Sequence, residues 1–74
     1  MNKTPIYPKF YWCRGKQSDK QWVFERMGDI PDNKKQDVAT HYENIYLAER
    51  SPWIARRKAN EYLHGIAHEY RVNR

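Results

Sequence analysis

Large aromatic residues recur at alternate positions in the first third of the chain, and this period is typical of β-strands. In residues 6–13 the alternation begins after Pro8, and residues 20–27 repeat it. The polar segment between them, residues 14–19, contains the glycine that a longer hairpin loop usually needs. The pattern therefore predicts a β-hairpin over residues 6–27.

The remaining two thirds of the chain follow the helical period. A turn-rich break, residues 28–33, leads into helix one, which we expect over residues 33–49. Its apolar positions have the spacing of one buried stripe: Val38, Tyr42, Ile45 and Tyr46. Ser51 and Pro52 suit the cap and the first position of another helix. Helix two is therefore predicted over residues 52–71.

Length and composition limit these elements to one core. A chain of 74 residues is too short for two cores, and a two-stranded hairpin is marginal in water unless its rings pack against another element. Aromatic residues make up 15% of the chain, and their rings can replace scarce aliphatic side chains. The expected architecture is α+β, one domain over residues 1–74 with an N-terminal β-hairpin packed on two antiparallel α-helices (ββαα).

The net charge of +5 is spread unevenly along the chain. Lysine and arginine outnumber the acidic residues at both ends, whereas the middle third is acidic. This distribution favours an anionic partner, and we expect nucleic acid or a nucleoprotein complex.

Helix two carries a polar stripe opposite its apolar one. At 100° per residue the stripe contains Arg57, Asn60, His64, His68 and Arg71. Other cations flank the stripe or precede the helix: Arg50, Arg56 and Lys58. Cations near a helix N-terminus oppose the macrodipole and cost roughly 0.3–1 kcal/mol each, which favours a functional role. The alternative is a solvated face that only keeps the helix in solution.

Trp53 lies in the first turn of helix two, next to these cations and outside the apolar stripe. One interpretation is that it stacks on a base or anchors a protein partner. The other is that it closes the core at the helix joint by packing on the hairpin. The hairpin rings Tyr11, Trp12 and Trp22 have the same two interpretations, since lysines and arginines alternate with them.

His64 and His68 are four residues apart, a spacing that allows two imidazoles to bind one metal ion. No third ligand is indicated, so we predict no metal and no other cofactor, and expect both histidines to extend the basic stripe. The sequence contains no nucleophile with a base at a recognisable spacing and no glycine loop of the phosphate-binding kind. We therefore expect neither an enzyme nor a small-molecule substrate.

The cellular setting is inferred from Cys13 and from hydropathy. One cysteine cannot form an internal disulfide, which favours a reducing compartment. The N-terminal residues lack a signal-peptide core, and no segment has the ~18 apolar residues of a membrane span. A cytoplasmic location in a host bacterium, away from the membrane, is the expectation.

Residues 41–63 contain the pattern Tyr-Glu-x-x-Tyr, followed by a basic pair, Ala-Asn and an aromatic-Leu pair. This pattern resembles a helical segment found in replication proteins of bacterial phages and prophages. The resemblance covers about a third of the chain and includes no catalytic motif. It implies that the protein comes from a mobile element and that its helical pair touches DNA.

The leading hypothesis is a non-enzymatic nucleic-acid-binding accessory protein of a phage or mobile element. Its expected phosphate contacts are Lys34, Lys35, Arg50, Arg56, Arg57, Lys58 and Arg71. The alternative is a small phage-encoded inhibitor, anti-CRISPR-like or nuclease-blocking, which binds a host defence or replication protein complex. A toxin or antitoxin-like partner in a two-gene unit is a third hypothesis.

Overall fold

The computed structural model describes residues 6–73, which form a short hairpin followed by helices. The elements in chain order are β1 (Cys13–Arg14), β2 (Gln17–Ser18), α1 (Lys20–Met27), α2 (Asp32–Ala48) and α3 (Pro52–Val72). The architecture is α+β in the coarse sense that was expected. It has three helices rather than two, so the ββαα description is wrong in its helix count.

The hairpin is much shorter than predicted and, apart from Cys13, lies in the segment that was expected to be its loop. Cys13 pairs with Ser18 and Arg14 with Gln17 in antiparallel register. Gly15 occupies the turn with φ of +60°, a conformation that residues with a Cβ atom rarely adopt. The glycine therefore permits a tight turn here.

The predicted second strand, residues 20–27, is wrong, because these residues form α1. The alternation of Trp22 and Phe24 suggested a strand, but Val23 and Met27 are the buried positions, and their spacing of four is helical. Most of the other residues in α1 are good helix formers. A Gln21 amide also donates to the Glu25 carboxylate, a bond that only the helix allows.

Helices α2 and α3 form an antiparallel pair. α2 begins and ends one residue before the predicted bounds, and α3 ends one residue after its own. Ser51 caps α3 as expected, since its Oγ accepts from the Ile54 amide and Pro52 fills the first position. At the start of α2 the cap residue is Pro31, and no side chain caps the helix there.

The core lies where α3 packs against α1 and α2. It contains nine buried side chains: Val23, Met27, Ile30, Val38, Ala39, Tyr42, Ala59, Leu63 and Ala67. The alanines of α3 allow the helices to approach closely, while rings from all sides close the periphery. In the N-terminal segment, Tyr7 stacks on Phe24 with 3.8 Å between ring centroids. The Lys9 amide donates to the Glu43 carboxylate over 2.7 Å, which ties this segment to α2.

Candidate nucleic-acid interface

A buried carboxylate links the hairpin to α3. Asp19, 8% exposed, lies between β2 and α1, at the cap position of α1. Its side chain makes no cap bond and instead accepts from Arg56 through two nitrogens, Nε at 2.8 Å and Nη2 at 3.0 Å. Asn60 Nδ2 donates to the same carboxylate over 2.8 Å. This geometry is a bidentate arginine–carboxylate pair with an added amide donor, a strong arrangement in a partly buried setting.

Tyr42 extends this network into the core. Its hydroxyl donates to Asn60 Oδ1 over 2.5 Å, so both ends of the Asn60 amide are bonded. Burial raises the pKa of Tyr42 far above its ordinary value, and the Asp19 charge raises it further. The hydroxyl therefore remains a neutral donor. We call Asp19, Tyr42, Arg56 and Asn60 the polar network.

The Arg56 guanidinium also covers an aromatic ring. Its central carbon lies 4.0 Å from the centroid of the Trp12 ring, within the range of a cation–π interaction. Trp12 is itself buried, and its ring centroid is 5.5 Å from that of Trp53. Arg56 is thus engaged by Asp19 and Trp12, which leaves it poorly placed to bind a phosphate.

Other predicted cations also have acidic neighbours. Lys58 Nζ lies 2.5 Å from a Glu49 oxygen, and Lys35 Nζ lies 3.2 Å from an Asp32 oxygen. Arg71 Nε is 4.0 Å from an Asp29 oxygen. Within residues 6–73, three of the exposed lysines and arginines in the predicted set have no carboxylate within 4.0 Å: Lys34, Arg50 and Arg57.

The ten predicted side chains do not form one surface. Arg50, Trp53, Arg56, Arg57 and Lys58 lie near the joint between α2 and α3. Lys34, Lys35 and Arg71 lie at the other end of this antiparallel pair, where α2 begins and α3 ends. α2 has 17 residues, which correspond to roughly 25 Å. His64 and His68 lie between the two ends on α3, with ring centroids 6.4 Å apart.

A recess of about 330 Å³ opens between the hairpin and the start of α3. Its lining consists of Trp12, Cys13, Arg14, Tyr46, Pro52 and Trp53. Trp53 packs on Trp12, and 54% of its surface is exposed. Its role in stacking on a base or anchoring a partner stays a prediction. We call this set of six residues the aromatic recess.

Arg14 is the site residue that the predicted set lacked. It is exposed and lines the recess, and no carboxylate of residues 6–73 lies within 4.0 Å of it. The sequence placed it in a loop beside aromatic residues, but only the fold brings β1 next to α3. Arg14 shares the recess with the half-exposed Trp53, while Arg50 and Arg57 are exposed and lie three residues before and four residues after Trp53 in the chain. We call these four residues the cationic surface.

Residues 6–73 contain no group of three or more histidine, cysteine or acidic side chains with the geometry to hold a metal ion. Over the same residues, no helix combines the length and hydropathy required to cross a bilayer.

Comparisons with protein-family models, with curated proteins and with solved structures found no match. The chemistry of the described side chains is therefore the basis for assigning a function.

Proposed function

We propose that this protein is a non-enzymatic nucleic-acid-binding accessory protein of a phage or mobile element, acting in the cytoplasm of a bacterial host. The observation that carries the proposal is the cationic surface, whose three exposed arginines have no carboxylate of residues 6–73 within 4.0 Å and one of which, Arg14, lines the same recess as the half-exposed Trp53. Arginine forms charge-assisted bonds to phosphate, and the release of counterions from the nucleic acid drives binding.

The charge balance at the start of α3 supports this proposal. Arg56, Arg57 and Lys58 place three positive charges next to one another in the second turn of α3. The Asp19 carboxylate pairs with Arg56, and the Glu49 carboxylate pairs with Lys58. Arg57 lies between these two residues and, within residues 6–73, has no such carboxylate. A phosphate is the kind of ligand that would offset the remaining charge.

The resemblance at residues 41–63 contributes less to the proposal than the charge does. Within that pattern Tyr42, Ala59 and Leu63 are buried, and Asn60 belongs to the polar network. These side chains pack and form hydrogen bonds within the fold, so a shared pattern at these positions reflects the packing of the two helices. Arg57 is the exposed member of its basic pair and the one available for DNA.

The proposal is tested with the double variant Arg50→Ala/Arg57→Ala and fluorescence anisotropy of a labelled oligonucleotide over a range of salt concentrations. Loss of two phosphate contacts should reduce the slope of log K against log salt by roughly 1.4 for single strands and 1.8 for duplex. The melting temperature should stay within about 3 °C of wild type, since both side chains are exposed.

The matched control is Lys34→Ala/Lys35→Ala, which removes the same charge from the other end of the helical pair. We expect a smaller change of slope from this variant. Equal slopes for the two double variants would indicate a diffuse charge effect, and an unchanged slope for Arg50→Ala/Arg57→Ala would contradict the proposal.

One observation favours the alternative function, a small inhibitor of a host defence or replication protein. A tryptophan that is 54% exposed beside an aromatic recess has the character of an interface hot spot. Under this alternative, Trp53→Ala would abolish binding to the partner, and wild-type protein would bind no oligonucleotide even at low salt.

A further inference from the structure

We infer that the aromatic recess holds one unpaired base of a single-stranded nucleic acid, stacked against Trp53, with flanking phosphates on Arg14 and Arg57. This inference rests on the proposed function and specifies its ligand. It is carried by the place of Trp53 in the recess, by the absence of acid from the lining, by Arg14 in that lining and by Arg57 one helical turn after Trp53.

The lining has the chemistry that a base requires. Four of its six residues are aromatic or proline: Trp12, Tyr46, Pro52 and Trp53. Bases stack on such side chains largely irrespective of sequence, because every base has a π-face. In a duplex the faces of the bases are already covered by their neighbours, so a stacking site of this kind selects unpaired strands.

The recess is held open by the polar network. Trp12 forms its inner wall at 6% exposure, and the Arg56 guanidinium lies 4.0 Å from the centroid of its ring. Arg56 is in turn fixed by two bonds to Asp19. The Trp12 and Trp53 rings are tilted by 37° rather than stacked, and about half of the Trp53 surface remains available. The wall is therefore rigid before a ligand arrives, which lowers the entropic cost of binding.

The charges at the edge of the recess match a nucleotide. Arg14 belongs to the lining, and Arg57 follows Trp53 by one helical turn. None of the six lining residues is acidic. A stable protein partner usually covers about 800 Å² on each side, whereas a recess of about 330 Å³ accommodates a single planar group between flanking phosphates.

The test uses full-length protein and three labelled probes of equal length: a thymidine single strand, the same backbone without bases, and a duplex. Wild-type protein should bind the thymidine strand about tenfold more tightly than the abasic strand. Trp53→Ala should lose about tenfold in affinity for the thymidine strand and keep its affinity for the abasic strand. Trp53→Phe should keep most of the thymidine affinity, because phenylalanine retains a stacking face.

The abasic probe also serves as the folding control. A variant that fails to fold would lose affinity for both strands, whereas loss of stacking affects the thymidine strand alone. As a second measurement, the thymidine strand should quench tryptophan fluorescence of wild-type protein more than that of Trp53→Phe, which retains Trp12 and Trp22.

The outcomes separate the inference from the proposed function. If Trp53→Ala binds the thymidine strand as wild type does while Arg50→Ala/Arg57→Ala binds it weakly, the base site is wrong and phosphate binding stands. If wild-type protein prefers the duplex, the inference also fails. If wild-type protein binds none of the three probes at low salt, both the inference and the proposed function fail.

Discussion

Arg56 and Arg57 are neighbours on α3, yet they belong to regions with opposite surroundings. Arg56 belongs to the polar network, where it bonds to Asp19 and covers Trp12. Arg57 belongs to the cationic surface, is exposed and has no carboxylate within 4.0 Å among residues 6–73. Adjacent residues of a helix are rotated by 100° about its axis. Arg56 therefore stabilises the fold, whereas Arg57 is available for a ligand.

The comparison shows why a run of basic residues cannot be assigned one role. In Arg56-Arg57-Lys58 the first side chain is held by Asp19 and the third by Glu49. Their charges are largely matched within the chain, whereas the middle charge is not. We therefore expect the largest losses of stability from substitutions in the polar network and the smallest from substitutions outside it.

The largest effect is expected for Asp19→Ala. The substitution leaves Arg56 and Asn60 without their acceptor in a partly buried site, so we expect a loss of about 2–4 kcal/mol in the free energy of unfolding. The melting temperature should fall by more than about 10 °C, as measured by circular dichroism. Asp37→Ala, at an exposed acid on α2, is the control and should change little. Similar melting temperatures for the two variants would show that the network is not a stabilising one.

The second prediction compares Arg56→Gln directly with Arg57→Gln. Arg56→Gln should cost about 2 kcal/mol, because Asp19 keeps only Asn60 as a donor and Trp12 loses its cation. Arg57→Gln should change stability by less than about 0.5 kcal/mol. Urea denaturation of the two variants measures both values, and equal losses would remove the distinction between the two regions.

The third prediction concerns Tyr42→Phe, for which we expect a loss of about 1 kcal/mol. The substitution removes the hydroxyl that donates to Asn60 Oδ1 but preserves the ring in the core. Thermal denaturation at pH 7 measures the effect. A variant as stable as wild type would mean that a water molecule replaces the lost donor.

Tyr42 also predicts a dependence on alkaline pH. Its pKa is higher in the folded state than the unfolded value of 10.0, so its contribution to stability is complete below pH 10 and decreases as the pH rises above that value. Burial raises the pKa of Tyr46 and Tyr62 as well. Urea denaturation between pH 9 and 11 should therefore show a smaller loss of stability above pH 10 for Tyr42→Phe than for wild type.

The smallest effect is expected for Lys58→Ala. Lys58 is about half exposed and pairs with Glu49 on the surface, where such pairs contribute less than about 1 kcal/mol. The free energy of unfolding should therefore change by less than that amount, and any change should shrink at high salt. A larger loss that salt does not reduce would place this pair in the network.

Local signals were sufficient to predict the helical pair from the sequence. Ser51 and Pro52 mark the start of α3 by rules that depend only on neighbouring residues, and the observed helix begins at Pro52. α1 could not be identified in this way, because alternating rings and a spacing of four occur in the same eight residues. Burial of Val23 and Met27 against α3 decides between them.

The candidate site was also predicted only in part, because local spacing does not reveal contacts between residues that are far apart in the chain. The sequence identified Arg50, which precedes α3, together with Trp53 and Arg57, whose place on α3 follows from helical spacing. It also grouped Arg56 with them, because the partners Asp19 and Arg56 are 37 residues apart. Arg14 could be assigned to the site only from the structure, in which β1 and the start of α3 line the same recess.

The long separation within the polar network also has a consequence for biosynthesis. Asp19 emerges from the ribosome 37 residues before Arg56 and 41 before Asn60. Until α3 has been translated, this carboxylate lacks both donors and stays hydrated, so the hairpin and α1 cannot adopt their final packing. Folding of this domain is therefore completed only after α3 has been translated.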